Sequence, residues 1–453
     1  MNTTQNSEAA SGVVSFDGKA DSGWWPWIIY GGVLLGVLAT ILLNLNTTFL
    51  HPVVSILEKH RWAKVIVYPS VLWAAMGFLL TGFRTILWLR YRPLPQASFD
   101  EAPMMSVIIP AFNEGPMVRK SIVSVASALY PLGRLEILVV DDGSKDDTWE
   151  HIQSCAREFP DLVRPFRLPR NCGKREALAL GFENARGDVF VTIDSDSVIE
   201  RNALLALAGP LRDPRVGAVS GRVGVYNRNA GVIPRMLHVR FILSFDMLRA
   251  AESGYRTVYC CPGALTAYRA VLVRAVMHDW RNQRFLGAIC TTGEDRALTN
   301  WILMRGYDTL YQSSALVKTM VPENYSKLCR MFLRWDRSYI REELRFVRIV
   351  WKRPLPVRMI AMVERAITNL RYPVNYASLG MFVIFVASRP QVLPRFLLSI
   401  GLLSFFYTAY FLRTERSLHF FYGVLYAFFS TFTLFWIFPY AFFTVRARSW
   451  LTR

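Results

Sequence analysis

Two aspartates in the stretch TIDSDS, residues 192–197, are the first candidates for chemistry. Asp194 and Asp196 follow an apolar run, and side chains two apart on a continuing strand would face the same side. Two like charges so close repel each other unless a cation or a proton relieves them. The pattern therefore indicates either a metal site for a phosphorylated ligand or a solvated turn rich in Asp and Ser.

Two other apolar stretches also end in acidic residues. SVIIPAFNEG leads to Glu114, and LEILVVDDGS leads to Asp142. Strands that alternate with helices predict an open α/β sheet, in which ligands bind at the carboxyl ends of the strands. We therefore expect Glu114, Asp142 and the pair Asp194 and Asp196 to converge on one crevice.

Glycine-rich phosphate loops of the two common kinds do not occur in the sequence, neither G-x-G-x-x-G after a strand nor G-x-x-x-x-G-K-[ST]. This disfavours dinucleotide oxidoreductases and P-loop enzymes. A diphosphate would instead need a metal ion and basic side chains. Lys174, in NCGKREAL, is either such a side chain or a solvated lysine at the start of a helix.

A second acidic pair lies further along the chain, where TTGEDRALTN places Glu294 and Asp295 at the start of a predicted helix. Acids at that position either complement the helix dipole or supply a general base. Beyond them, LRWDRSYIREE places Arg334 beside Trp335. Arginine suits phosphate and tryptophan suits stacking on a sugar, but a basic helix on a membrane surface has the same composition. We expect both interpretations to hold, on different residues.

Apolar stretches without charged residues surround this soluble region and predict membrane helices. They are residues 24–45, 65–83, 372–388, 396–412 and 420–445. The first two and the last are long enough to cross a hydrocarbon core, and the other two are marginal unless flanking side chains snorkel. We therefore predict an integral membrane protein in contact with a lipid bilayer. Its net charge of +19 then fits a membrane surface and a phosphorylated substrate, with no nucleic acid as partner.

The cysteines and the charges beside the apolar stretches give weaker evidence on the location and orientation of the soluble region. All six cysteines lie in or just after the soluble region and none forms a C-x-x-C pair, so neither cysteine-bound zinc nor a disulfide framework is expected. Reduced thiols fit a cytosolic domain, although basic residues on both sides of stretch 65–83 orient the chain only weakly. The expected organisation is a polar tail at 1–23, two spans in 24–90, a soluble domain at 91–325, amphipathic interfacial helices at 326–371 and further spans in 372–453.

Together the motifs resemble the processive, membrane-embedded glycosyltransferases of family 2, above all hyaluronan synthases and nodulation chito-oligosaccharide synthases. PAFNE, VVDDGS, NCGKREAL, DSD, GEDRALTN and LRWDRSYIRE occur in that family's order and spacing. The resemblance implies an α/β fold, with a Rossmann-like GT-A domain between transmembrane helices. It also implies an inverting enzyme of the plasma membrane, whose cytosolic domain polymerises UDP-sugars. UDP-GlcNAc, with or without UDP-GlcA, would become a β-linked polysaccharide that is extruded across the membrane.

The resemblance also implies how the donor would be bound. Glu114 and Asp142 would hold the uridine part of the UDP-sugar. Lys174 would lie near the nucleotide. Asp194 and Asp196 would bind the donor together with Mn²⁺ or Mg²⁺.

The catalytic and acceptor roles are implied in the same way. Asp295 would deprotonate the acceptor hydroxyl, with Glu294 as the second candidate for this base. Arg334 and Trp335 would close over the diphosphate and the acceptor sugar.

The acceptor end is where this sequence departs from the family. Cys261 and Gly263 would line it, but PGA at 262–264 replaces the common S-G-P. Met331 also stands where the family's Q-x-x-R-W motif has glutamine. Acceptor identity and product length therefore stay open, and the alternative is a non-processive transferase that makes a short chito-oligosaccharide or glycosylates a lipid carrier. A transporter or receptor that only binds nucleotide is disfavoured by the retained acids.

Overall fold

A computed structural model describes residues 61–388, 390 and 392–447, together with a few positions between 27 and 38. The first predicted span, 24–45, lies largely outside the described residues. The other four predicted spans fall within them.

The centre of the molecule is one eight-stranded mixed sheet in the order β3-β2-β1-β4-β7-β6-β10-β5. Its strands are β1 (Met105–Ala111), β2 (Leu135–Asp141), β3 (Val163–Arg167), β4 (Val189–Thr192), β5 (Ser197–Ile199), β6 (Val216–Val225), β7 (Thr266–Arg269) and β10 (Asp308–Thr319). The segments β3, β2, β1 and β4 are parallel neighbours. The antiparallel strand β7 joins them to β6, which pairs in parallel with β10. A separate short hairpin consists of β8 (Arg284–Phe285) and β9 (Ala288–Ile289).

Helices cover both faces of this sheet. They are α2 (Met117–Ala126), α3 (Thr148–Glu158), α4 (Lys174–Asn184), α5 (Ala203–Ala208), α6 (Val232–Phe241), α7 (Leu248–Gly254), α8 (Ala270–Arg281) and α9 (Glu294–Met304). A π-helical segment, Ile242–Met247, joins α6 to α7. The strands β1 and β2 are buried along almost their whole length because the helices exclude water from both faces. The predicted α/β class is thus confirmed.

The remaining helices are long or strongly apolar. They are α1 (Arg61–Arg90), α10 (Tyr325–Ile349), α11 (Leu355–Ser388), α12 (Val392–Thr408), α13 (Phe411–Thr414), α14 (Phe420–Thr433) and α15 (Ile437–Phe443). Within the described part of the chain, three stretches are long and apolar enough to cross a membrane: Tyr68–Arg90, Leu355–Ser388 and Phe396–Thr414. The helices α14 and α15 would add a fourth if taken as one span, although they meet at a bend of 49°. The helix α11 runs without a break through 371–372, where the sequence had placed a domain boundary.

The helix α10 connects the soluble domain to these apolar helices. Its first turn is closed by Asn324, whose side-chain oxygen accepts from the N–H of Lys327 at 3.0 Å. One face of the helix is apolar and buried, through residues such as Leu328, Phe332 and Ile340. The helix therefore carries the LRW motif along the seam between the sheet domain and the apolar helices.

Candidate active site

A cavity of about 1280 Å³ begins at the carboxyl ends of β1 and β4 and continues between the apolar helices. Glu114, Lys174 and Asp194 line it at the sheet. Thr81 and Ser404 line it within the long apolar helices α1 and α12. One space therefore joins the predicted donor residues to the helices that could cross a membrane.

A partly buried ion cluster lies at the sheet end of this cavity. The Nζ atom of Lys174 lies 2.5 Å from Oδ1 of Asp194 and 3.1 Å from Oε1 of Glu294. Burial disfavours the ammonium charge, but the two carboxylates outweigh burial and raise the pKa of Lys174. Lys174 is therefore a fixed positive charge at the cavity and not a solvated lysine.

The pKa values of the two acids of the GED motif, Glu294 and Asp295, are shifted in opposite directions. Burial favours the neutral form of Glu294, but the neighbouring Lys174 outweighs it and lowers the pKa of Glu294. Burial and the charge of Glu294 both raise the pKa of Asp295. Neighbouring acids with pKa values moved apart are typical of sites in which one acid is a counter-ion and the other exchanges a proton. Glu294 is therefore the counter-ion of Lys174, and Asp295 is the acid of the pair that binds a proton more readily.

The loop that leads into β7 contacts the ion cluster, because the antiparallel strand β7 begins where its neighbour β4 ends. The N–H of Gly263 donates to Oδ2 of Asp295 at 3.3 Å. A Cβ atom at residue 263 would lie 2.9 Å from Nζ of Lys174 and 3.3 Å from Oδ1 of Asp194. Glycine therefore lets the loop approach both charged groups, and Gly263 lines the cavity.

The structure corrects the prediction for Asp142. Its side chain is buried, and its two carboxylate oxygens accept the N–H groups of Cys172 and Gly173 at 2.7 Å and 2.8 Å. These two residues directly precede Lys174. Asp142 therefore fixes the loop that positions Lys174, and does not present its carboxylate to the cavity.

The premise that Asp194 and Asp196 lie on a continuing strand is also wrong. The strand β4 ends at Thr192, and a turn follows in which the N–H of Ser197 donates to the carbonyl of Asp194 at 3.0 Å. Asp194 faces the cavity, whereas Asp196 is 1% exposed and its Oδ1 accepts from Oγ1 of Thr319 at 3.0 Å. The turn brings both acids to the same strand end, but only Asp194 lines the cavity.

The structure places Cys260 at the cavity, and not Cys261 as the sequence had suggested. Cys261 is fully buried in the apolar core, and its N–H donates to Oγ1 of Thr299 at 3.0 Å. Its neighbour Cys260 lines the cavity instead. Sequence pattern alone could not decide which of two adjacent cysteines faces inward.

The LRW motif lies where the cavity passes from the sheet to the apolar helices. Met331, Arg334 and Trp335 all line it, on one face of α10. The ring of Trp335 packs against Phe332 and Phe245, with centroid distances of 5.7 Å and 6.3 Å. The tryptophan is half-buried, so its ring is held in place and still borders the cavity.

Two features of the cavity wall were missed by the sequence reasoning. Asp336 follows Trp335 and lines the cavity, and burial raises its pKa to about 6. Arg296 and Arg365 both pair with Glu343, at 3.1 Å and 2.9 Å, and so join α9, α10 and α11. Asp336 stands inside a motif already noted, but no spacing rule relates the members of the arginine network.

The close packing of α9 against α10 gives a testable prediction at Gly293. Its φ is +77°, and an added Cβ would lie 1.8 Å from Oγ of Ser338. Gly287 has a similar φ of +80° but no atom within 4 Å of an added Cβ. Replacing either glycine by alanine costs roughly 1–2 kcal/mol of backbone strain. Only Gly293→Ala should add an overlap penalty of about 1–3 kcal/mol.

Thermal unfolding of the two variants separates these effects. We expect Gly293→Ala to have a clearly lower Tm than Gly287→Ala, because the overlap displaces the start of α9 and with it Asp295. Equal Tm values for the two variants would contradict the packing described here.

Comparison with known proteins agrees with this architecture. Residues 106–276 match the model for glycosyl transferase family 2. An N-acetylglucosaminyltransferase of Rhizobium meliloti (strain 1021) is 33% identical over 284 residues, which are 59% of this chain and 64% of that protein. A hyaluronan synthase of Streptococcus pyogenes is 33% identical over 280 residues, 59% of this chain and 66% of that protein. The matches thus span slightly less than two thirds of these relatives.

Among solved structures, the mannosyltransferase PcManGT of Pyrobaculum calidifontis superposes with a TM-score of 0.57 at 21% identity. The superposition covers 80% of this chain and 99% of that one. The curled mixed sheet with strand-end acids is therefore the GT-A-like α/β fold of glycosyltransferases. Residues 106–276 thus match glycosyl transferase family 2 within a domain of GT-A-like fold, and apolar helices that could span a membrane flank this domain.

Proposed function

We propose that the chain is a membrane-embedded, inverting glycosyltransferase that polymerises UDP-sugars into a β-linked polysaccharide, hyaluronan or a related aminosugar polymer. The observation that carries the proposal is the single cavity, which contains Lys174, Asp194 and Asp295 and continues between the apolar helices. The names of the two relatives support aminosugar donors. The protein would lie in the plasma membrane, with its catalytic domain in the cytosol, where UDP-sugars are made.

The donor would bind at the strand ends. Glu114 lines the cavity, and its N–H is held by Oγ1 of Thr148 at 2.8 Å, so the loop after β1 is fixed for the uridine. Lys174 and Arg334 supply positive charge on two sides of the place for the diphosphate. Asp142 acts indirectly, by fixing the loop before Lys174.

A divalent cation, Mn²⁺ or Mg²⁺, fits the acidic turn. Both cations prefer oxygen ligands, and Asp194 presents a carboxylate at the cavity, with Asp196 behind it in the same turn. In this structure the Lys174 ammonium pairs with Asp194, so a cation would have to share this carboxylate with Lys174 or displace it. When bound, the cation would neutralise the diphosphate of the leaving UDP. Asp194 and Asp196 are the residues that would hold it.

Sugar transfer then requires one proton acceptor. Asp295 would take the proton of the acceptor hydroxyl as that oxygen forms a bond to the anomeric carbon. The bond from the anomeric carbon to the UDP oxygen breaks, and UDP leaves with the electron pair. Attack from the face opposite UDP inverts the configuration, so an α-linked donor gives a β linkage. Glu294 stays ionised beside Lys174 and keeps Asp295 basic.

The product would leave through the cavity between the helices. The polar residues Thr81, Thr368, Ser404 and Thr431 line this part of the cavity, within helices that could cross a membrane. Polar side chains within membrane helices usually face a protein interior or a water-filled path and not lipid. A hydrated sugar chain suits such a path, and this favours extrusion over release into the cytosol.

Trp335 would hold the acceptor sugar by stacking, which needs only the face of the ring. Met331 cannot form the paired hydrogen bonds of the family's glutamine, but its thioether can pack against a sugar or an aromatic ring. We expect Trp335→Ala to lose polymer formation, and Met331→Gln to keep the initial rate while altering chain length. The measurements are UDP release and the size distribution of the product.

The matched control is Trp351→Ala, since Trp351 is 56% exposed and does not line the cavity. It should make polymer of normal length. Normal polymer from Trp335→Ala would refute the stacking role. An inactive Met331→Gln variant would show that the acceptor site has been rebuilt around the thioether.

The alternative is a non-processive transferase, which Met331 and the PGA loop favour because both lie at the acceptor side. The test is to supply the purified full chain with UDP-GlcNAc, UDP-GlcA, both, or UDP-Glc, and to determine product size. Long products that require UDP-GlcNAc support the proposal. Only one or a few added sugars would establish the alternative, and absence of transfer from every donor would refute both.

A further inference from the structure

A second cluster of ligating side chains lies away from the active-site acids. It consists of His238 on α6, and Glu415 and His419 in the loop between α13 and α14. One nitrogen from each histidine and a carboxylate oxygen of Glu415 all lie within 4.8 Å of one another. We propose that these three residues form a binding site for a transition-metal dication, with Zn²⁺ as the best fit.

The distances within the cluster fit ligands of one ion. The Nε2 atom of His238 lies 2.7 Å from Oε2 of Glu415, and Nδ1 of His419 lies 3.8 Å from Oε1 of Glu415. The second distance is too long for a hydrogen bond. Ligands about 2.0 Å from a tetrahedral zinc ion are about 3.3 Å apart, so small side-chain shifts would bring all three into its coordination sphere.

The hydrogen bonding of the polar atoms in the cluster also indicates a cation site. Among the described residues, Nδ1 of His419 is buried and has no hydrogen-bond partner, although it faces the carboxylate of Glu415. Two imidazoles and one carboxylate are a common ligand set for zinc, with a fourth position for water. Magnesium and manganese prefer oxygen ligands, so this site and the acidic turn at Asp194 would select different ions.

One neighbouring side chain competes with a metal ion for Glu415, and another orients the carboxylate of Glu415. Nη1 of Arg228 lies 3.4 Å from Oε1 of Glu415, but its side chain is 39% exposed and can turn to solvent when a dication binds. The hydroxyl of Ser417 donates to the same oxygen at 3.0 Å and orients it. Arg235 is engaged with the hydroxyl of Tyr422 at 2.8 Å.

The location of the site indicates what a bound ion would do in the protein. His238 belongs to the sheet domain, whereas Glu415 and His419 belong to the loop before the apolar helix α14. The next residue after His238, Val239, lines the cavity and packs with Phe411 and Phe420. An ion bound here would fasten the sheet domain to the apolar helices and hold the cavity wall in one arrangement.

The test measures metal content and affinity of the detergent-purified full chain, independently of activity. After dialysis against zinc-free buffer we expect about one retained Zn²⁺ per chain, and His419→Ala and Glu415→Gln should each weaken zinc binding at least about tenfold. His419→Ala carries the test because His238 is only 6% exposed and its replacement endangers folding. Co²⁺ is the second probe, since four-coordinate Co²⁺ absorbs visible light far more strongly than six-coordinate Co²⁺ in an oxygen site.

The matched control is His151→Ala, which removes a histidine of α3 that also lies four residues from a carboxylate, at 3.2 Å from Asp147. It should bind zinc as the unaltered chain does. Zinc retention and a strong Co²⁺ band that are lost only in the cluster variants support the site. A chain that retains no zinc, or cluster variants that bind it as tightly as the control, would overturn it.

Discussion

Replacing Asp295 by asparagine is expected to lower sugar transfer by roughly 10²–10⁴-fold while leaving UDP binding intact. Asparagine keeps the shape of the side chain, and its amide oxygen can still accept the N–H of Arg296, which donates to Oδ1 of Asp295 at 2.7 Å. It cannot accept the proton of the acceptor hydroxyl. The measurements are initial UDP release with donor and acceptor present, and UDP affinity by calorimetry.

The matched control is Asp279→Asn, an exposed aspartate on α8 that does not line the cavity. It should transfer at the normal rate. Near-normal transfer by Asp295→Asn would place the base elsewhere, with Glu294 the first residue to examine.

The pH dependence of sugar transfer gives an independent test of Asp295 as the general base. Burial and Glu294 raise the pKa of Asp295, so its carboxylate is protonated at a higher pH than an ordinary aspartate. Only the ionised form can accept a proton, and activity should therefore fall as the pH decreases through this raised pKa. Asp336, with a pKa of about 6, also lines the cavity, so the profile should be repeated in Asp336→Asn. The acid limb should persist there and disappear in Asp295→Asn.

Removal of divalent cations is expected to stop turnover, and Mn²⁺ or Mg²⁺ should restore it. Asp196→Asn should imitate the loss, by roughly 3–4 kcal/mol of transition-state stabilisation, or a few hundredfold in rate. Asparagine can still accept the Thr319 hydroxyl through its amide oxygen, so the fold should survive. The measurement is the rate of UDP release as a function of cation concentration.

Thr319→Val supplies the control for this variant. It removes the hydrogen bond at 3.0 Å but keeps the charge of Asp196, so it should lower stability more than cation affinity. Full activity in EDTA would refute the metal proposal. So would a cation requirement that is the same in Asp196→Asn as in the unaltered chain.

The sequence predicted the α/β domain because its strands are short apolar runs that end in polar residues. The strands β1, β2 and β4 are adjacent and parallel, so Glu114, Asp142 and Asp194 lie at the same edge of the sheet. The GED acids lie at the start of a helix, as their position after Gly293 indicated. These inferences needed only local patterns and the rule that places ligands at strand ends.

Other features depend on contacts that no local pattern contains. Asp142 does not line the cavity, and its two oxygens accept backbone N–H groups of a loop about 30 residues further along. Asp196 is buried by Thr319, which lies 123 residues away. The cluster of His238 and Glu415 joins residues 177 apart. Such pairings follow from how strands and helices are assembled, and sequence spacing cannot reveal them.

The most direct test of the account is whether polymer made at the sheet domain leaves through the helices. The full chain is reconstituted into liposomes, UDP-sugars are added outside, and a polysaccharide-degrading enzyme is added with or without detergent. Donors added outside reach only those molecules whose catalytic domain faces outward. We predict labelled polymer that resists the enzyme until detergent opens the liposomes. Polymer degraded at once, or products of only a few sugars, would contradict a cavity that joins sugar transfer to export.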